Sequence, residues 1–171
     1  MINRRRIKDK VAELLRQFSV VQPPVDVERI ARRLGTRVRE TGFDGDVSGL
    51  FVRKGQDAVI GVNSMHSEQR KRFTIAHEIG HFVLHISKPI YVDELVLHFR
   101  NRTSAEGRDP DEIEANAFAA ELLMPEDFVQ QSMSDLDNWD DEAVSKLAKE
   151  YKVSVEAFVY RLTNLGYMLD L

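Results

Sequence analysis

Apolar residues at Ile7, Val11, Leu14, Leu15 and Phe18 recur at helical spacing between charged ones, which predicts an amphipathic first helix. Pro23-Pro24 ends it. Val27, Ile30, Ala31 and Leu34 form one face of a second helix, with Gly35 placed to suit its C-terminal cap. The pattern then changes period. Thr36 to Thr41 alternates around Val38, and two apolar runs follow, Val47 to Val52 and Ala58 to Val62. The Lys54-Gly55-Gln56-Asp57 stretch between them reads as a hairpin turn. Helical spacing returns after Ser67, a suitable N-cap, and continues to about His85. Residues 86–110 read as loop. Asp111 to Met124 is strongly helical, and Pro125 fits the first position of a further short helix, with Glu126 and Asp127 favoured by its dipole. After a break at Asp135–Asp141, helices over Glu142–Tyr151 and Val155–Asn164 are expected, the second capped by Ser154. Helices, a small three-stranded sheet, then helices make the expected class α+β.

Composition narrows the chemistry. The 171 residues include no cysteine, so disulfides, thiol catalysis and cysteine-based zinc fingers are excluded, and any metal must be held by His, Asp or Glu. No run approaches the ~20 apolar residues of a membrane span. The charged start lacks the apolar stretch of a secretory signal. A cytoplasmic protein is expected. The net charge of -4 conceals a polarity: residues 1–40 hold eleven Lys/Arg against five Asp/Glu, and residues 101–150 hold four against fourteen. A basic end can indicate nucleic acid, but a solvated helix face is the more ordinary explanation.

The most informative residues are His77-Glu78-Ile79-Gly80-His81. Helical residues four apart lie ~40° apart around the axis and ~6 Å along it, so both imidazoles can converge on one ion. Glu78, beside the first His, completes the H-E-x-x-H arrangement of two zinc ligands and a general base. Thr74-Ile75-Ala76 before it and Phe82-Val83-Leu84 after it are uncharged, so this helix is expected to be mostly buried, and inward-facing polar groups there need a reason. Gly80 costs such a helix about 1 kcal/mol relative to Ala, and close approach of another backbone or of substrate would explain it.

A catalytic zinc usually keeps three protein ligands and one open position. On a continuous helix His85 stands ~12 Å along the axis from His77 and cannot share its ion. His66 and His98 lack helical partners and read as surface or loop residues. The better donor is Glu112, with Asn116 one turn later on the same face, placed to hydrogen-bond a ligating His. Glu114 points about 200° away from Glu112 and cannot serve equally. Ile113, Ala117 and Ala120 form a different stripe.

Arg72-Phe73-Thr74-Ile75-Ala76-His77-Glu78-Ile79-Gly80-His81, then Glu112-x-x-Ala115-Asn116-x-Phe118-Ala119 and Leu122-Leu123-Met124-Pro125, resemble the ImmA/IrrE family of metallopeptidases. Val25-Asp26-Val27-Glu28 and Leu147-Ala148-x-x-Tyr151 extend the resemblance over essentially the whole chain. It implies a thermolysin-like zinc site with His77, His81 and Glu112 as ligands and Glu78 as base. It also implies a protein substrate, since family members cleave or inactivate helix-turn-helix repressors, often in mobile elements or stress responses. The chain resembles the short form of the family, without an appended sensor domain.

Two divisions are expected: a metallopeptidase domain over residues 1–134 and a helical, helix-turn-helix-like subdomain over 135–171 packed on it. The second helix of that pair offers Val155, Glu156, Ala157, Phe158, Val159, Tyr160 and a single cation, Arg161, after an acidic loop. Base reading needs polar side chains and cations for phosphates, so DNA binding is not expected. Two rival functions remain: a zinc-containing interaction module that sequesters a regulator without cutting it, and a DNA-binding regulator. An intact Glu78 argues against the first, because a purely structural site needs no base. Tyr91, His98 and Arg100 are candidates for stabilising an oxyanion only because they lie between the two motifs.

Overall fold

The structure, a computed structural model, describes residues 3–43, 48–54, 57–84, 110–136 and 139–167. Among these, seven helices and three strands follow in the order α1 (Arg4–Gln17), α2 (Val27–Arg33), β1 (Thr36–Thr41), β2 (Gly49–Lys54), β3 (Asp57–Asn63), α3 (Glu68–Leu84), α4 (Pro110–Leu123), α5 (Glu126–Ser134), α6 (Asp141–Tyr151) and α7 (Val155–Asn164). The architecture is α+β. None of these helices is long and apolar enough to cross a membrane.

Local chemistry sets the helix ends. Ser67 Oγ accepts from Arg70 N at the start of α3, and Ser154 Oγ accepts from Ala157 N at the start of α7. Gly35, just past α2, takes φ +83°, a conformation that a side chain resists. Pro125 departs from the expected pattern: with ψ 134° it lies outside α5 as its N-cap, and the helix proper begins at Glu126. A proline side chain offers no cap, and Glu121 Oε1 instead accepts from Glu126 N at 3.1 Å.

The sheet has the order β1-β3-β2. β2 and β3 pair antiparallel with Lys54 opposite Asp57, whereas β1 joins β3 in parallel, Thr36 opposite Ala58. The central β3 is buried from Ala58 to Asn63 except at Val59, as its nearly continuous apolar run requires. α3 lies against β2 and β3. A Cβ on Gly49 would collide with the Thr74 methyl group and come within 2.9 Å of Gly61 O, so the start of β2 tolerates only glycine. Phe51 of β2 and Phe82 of α3 bring their ring centroids to 6.3 Å.

The opposite side of α3 packs on α4, closely at Gly80. A Cβ there would meet Ala115 Cα at 3.2 Å and Phe118 Cβ at 3.2 Å. Another backbone thus explains the mid-helix glycine. Gly80→Val should lower stability by about 1–3 kcal/mol through overpacking, read as a lower urea midpoint. An unchanged midpoint would mean that the two helices tolerate a wider spacing.

The charge polarity along the chain is partly neutralised within the fold. Lys8 of α1 lies 3.2 Å from both Glu126 and Asp127 of α5, and Arg6 donates to Leu84 O at the end of α3 at 2.9 Å. The C-terminal helices are tied in from two sides. Arg72 of α3 donates to Val25 O and to Lys152 O in the α6–α7 turn, and Arg161 of α7 donates to Met124 O and pairs with the Glu121 carboxylate.

Candidate metal centre

His77 and His81 stand four residues apart on α3, and their Nε2 atoms approach to 2.9 Å. Glu112, two residues into α4, closes a triangle: Oε1 lies 3.1 Å from His81 Nε2 and Oε2 lies 3.4 Å from His77 Nε2. These three residues form the one group of metal-type donors found among the described residues. A tetrahedral zinc with bonds of about 2.0–2.2 Å spaces its donors about 3.3–3.5 Å apart, so the triangle is within about half an ångström of that geometry. Two facing imidazole nitrogens require either a shared proton or a cation that both can ligate. The donor set of two nitrogens and a carboxylate suits zinc.

Each donor is oriented by its surroundings. Asn116, one turn beyond Glu112 on α4, accepts from His77 Nδ1 through Oδ1 at 3.1 Å. That bond turns the Nε2 lone pair toward the triangle and fixes the ring. The Phe73 ring lies beside His77, with centroids 6.5 Å apart, and His77 itself is 1% exposed. The His77 and His81 imidazoles against it hold the Glu112 carboxyl well below the usual carboxylate range, against the opposing effect of burial. Glu112 is therefore an anionic donor at neutral pH. Glu78, next in sequence to His77, is 2% exposed.

The expected residues that fall in the described parts take distinct places. His77, His81, Glu112 and Asn116 come together. Glu114 turns away, with its carboxylate 4.0 Å from the Arg6 guanidinium. His66 lies in the turn before α3, apart from the triangle. His85, Tyr91, His98 and Arg100 lie outside the described residues. Glu112→Gln should weaken zinc binding by an order of magnitude or more, while Glu114→Gln should change it little, as zinc titration against a competing chelator will read. The reverse ranking would place the ligand on the other face of α4.

Residues 31–163 match the profile of the IrrE N-terminal-like domain, a peptidase family, and the matched span contains both α3 and α4. The chain belongs to this family. Over 107 residues it is 33% identical to the radiation response metalloprotease IrrE of Deinococcus radiodurans, covering 62% of this chain and 31% of that protein. Over 138 residues it is 26% identical to immunity region protein 2 of Bacillus phage phi105, covering 81% of this chain and 80% of the phage protein. A solved Mycobacterium tuberculosis transcriptional regulator shares the fold, with a TM-score of 0.63 at 20% identity over 95% of this chain and 48% of that one. The chain thus spans less than half the length of the IrrE relative and of the solved regulator.

Within this IrrE N-terminal-like fold, one polar arrangement at the far end of α4 from Glu112 escaped the sequence reading. Glu121 is a buried carboxylate that serves the α5 N-terminus with one oxygen and Arg161 with the other. Its signal was present: Glu121 is the lone charge in the apolar run Phe118–Met124, and Arg161 is the lone base of α7. Buried charges of this kind are expected in pairs.

Proposed function

We propose that this chain is a zinc-dependent endopeptidase whose substrate is a protein, a helix-turn-helix transcriptional repressor of a mobile element or stress response. The observation that carries the reading is the donor triangle of His77, His81 and Glu112 with a buried glutamate, Glu78, next to one ligand. Family membership and the likeness to the IrrE metalloprotease and the phage immunity region protein support the peptidase activity and the regulatory setting. Residues 1–134 would form the catalytic domain and 135–171 a helix-turn-helix-like subdomain.

In this reading His77, His81 and Glu112 hold the zinc, and Asn116 keeps His77 in the ligating tautomer. Bound there, zinc supplies Lewis acidity to the scissile carbonyl and lowers the pKa of water. Glu78 takes a proton from the attacking water on its carboxylate and returns it to the leaving amine as the C–N bond breaks. The outer edge of β2, with β3 on its other side and α3 packed against it, is suited to receive the substrate backbone as an added extended strand. DNA reading by α7 is disfavoured, because its one cation, Arg161, is engaged by Glu121 and Met124 O.

The test is co-expression with a helix-turn-helix repressor from the same gene neighbourhood, followed by gel electrophoresis and mass spectrometry. Chelator-sensitive fragments are expected. A repressor released from its operator yet intact would favour sequestration instead.

A further inference from the structure

A trough of about 980 Å³ runs between α1, α3, α4 and α7. Its volume lies at the top of the usual range for small-ligand sites. The walls are mostly apolar: Phe73 from α3, Ile113, Ala117 and Ala120 from α4, and Tyr160 and Leu165 from the α7 end. Tyr160 is 71% exposed, a large ring left in water at the rim. The trough reaches the metal centre from behind, since Asn116 and Phe73, the two residues that flank His77, also line it.

The charges around it are unbalanced. Both lining carboxylates are taken by internal cations, Glu121 by Arg161 and Glu126 by Lys8. Arg4, Arg5 and Arg70 also line the trough and pair with no carboxylate among the described residues. Arg70 donates to the Ser48 hydroxyl at 2.8 Å, which leaves its charge uncompensated. Arg4 and Arg5 occupy the first turn of α1, which contains no acid. The helix dipole disfavours cations at that end. Their placement costs the fold something and creates a positive rim beside an apolar floor.

We infer that this trough is a docking groove for a segment of the protein substrate, away from the cut bond, that is apolar on one side and acidic on its flank. The inference rests on the proposed function for its protein substrate. Apolar side chains of the segment cover the α4 stripe and Tyr160, and its carboxylates meet Arg4, Arg5 and Arg70. The seam with Asn116 and Phe73 places a bound segment directly behind the metal-holding helices.

The experiment uses the full chain carrying Glu78→Gln, so that no probe is cut. Fluorescence anisotropy is recorded with a labelled Leu/Glu peptide of helical period, its Leu/Lys counterpart and a labelled DNA duplex. The Leu/Glu peptide should bind saturably and more tightly than either alternative. Reversing the rim with Arg4→Glu and Arg5→Glu should weaken it about tenfold or more, and Tyr160→Ala should do so to a similar degree. All three positions are exposed, so the variants keep the fold, which circular dichroism checks. Preference for the Leu/Lys peptide or the duplex, unchanged affinity in both variants, or no saturable binding would each overturn the inference. Fragment production by the wild-type chain tests the peptidase reading separately, so either can fail while the other stands.

Discussion

Glu78→Gln should leave zinc in place and reduce cleavage of the partner protein by about 10²–10⁴-fold. Glutamine preserves the volume of a residue that is 2% exposed in the middle of α3, so packing against the sheet and α4 is retained. None of the three donors is altered. What disappears is the group proposed to accept a proton from water and hand it to the leaving amine, and that loss corresponds to about 3–5 kcal/mol of barrier. Single-turnover cleavage followed by mass spectrometry reads the rate, and metal analysis on the same preparation reads the zinc. A variant that cuts as fast as wild type would remove Glu78 from the chemistry. If neither wild type nor variant yields a fragment and both relieve repression equally, the chain sequesters its partner without cutting it.

Stripping the metal should have an effect of comparable size on a different readout. The triangle joins α3 to α4, and His77 is 1% exposed, so in the stripped protein two imidazole nitrogens face each other with no cation between them. A ligand that binds only the folded state, present at about a thousand times its dissociation constant, stabilises that state by about 4 kcal/mol. In a domain of this size that amounts to a melting shift on the order of 10 °C. Scanning fluorimetry with a chelator, then with zinc restored, should show the fall and the recovery. Cleavage should vanish and return in step. Superimposable melting curves, with the metal demonstrably removed, would mean that the triangle contributes nothing to holding the helices together.

Helical geometry explains why so much of the centre could be read from residue order. A separation of four positions puts His77 with His81, and Glu112 with Asn116, on single helix faces wherever those helices lie in space. Ser67, Ser154 and Gly35 mark helix ends because their own side-chain or backbone chemistry does the capping. Features that depend on distant segments left no periodic trace. The parallel pairing of β1 with β3 joins segments about twenty residues apart, and alternation within either strand carries no information about it. Arg6 reaches Leu84 O across 78 positions, and Arg161 reaches Glu121 across 40. Pro125 was displaced by one position because Glu121, and not a local side chain, satisfies the first amide of α5.

The central claim is that His77, His81 and Glu112 together hold one zinc ion. Elemental analysis of the purified wild-type chain beside His77→Ala and His81→Ala tests it most directly. The account predicts one zinc per chain in the wild type and little or none in either variant. Undiminished zinc in both variants would contradict it.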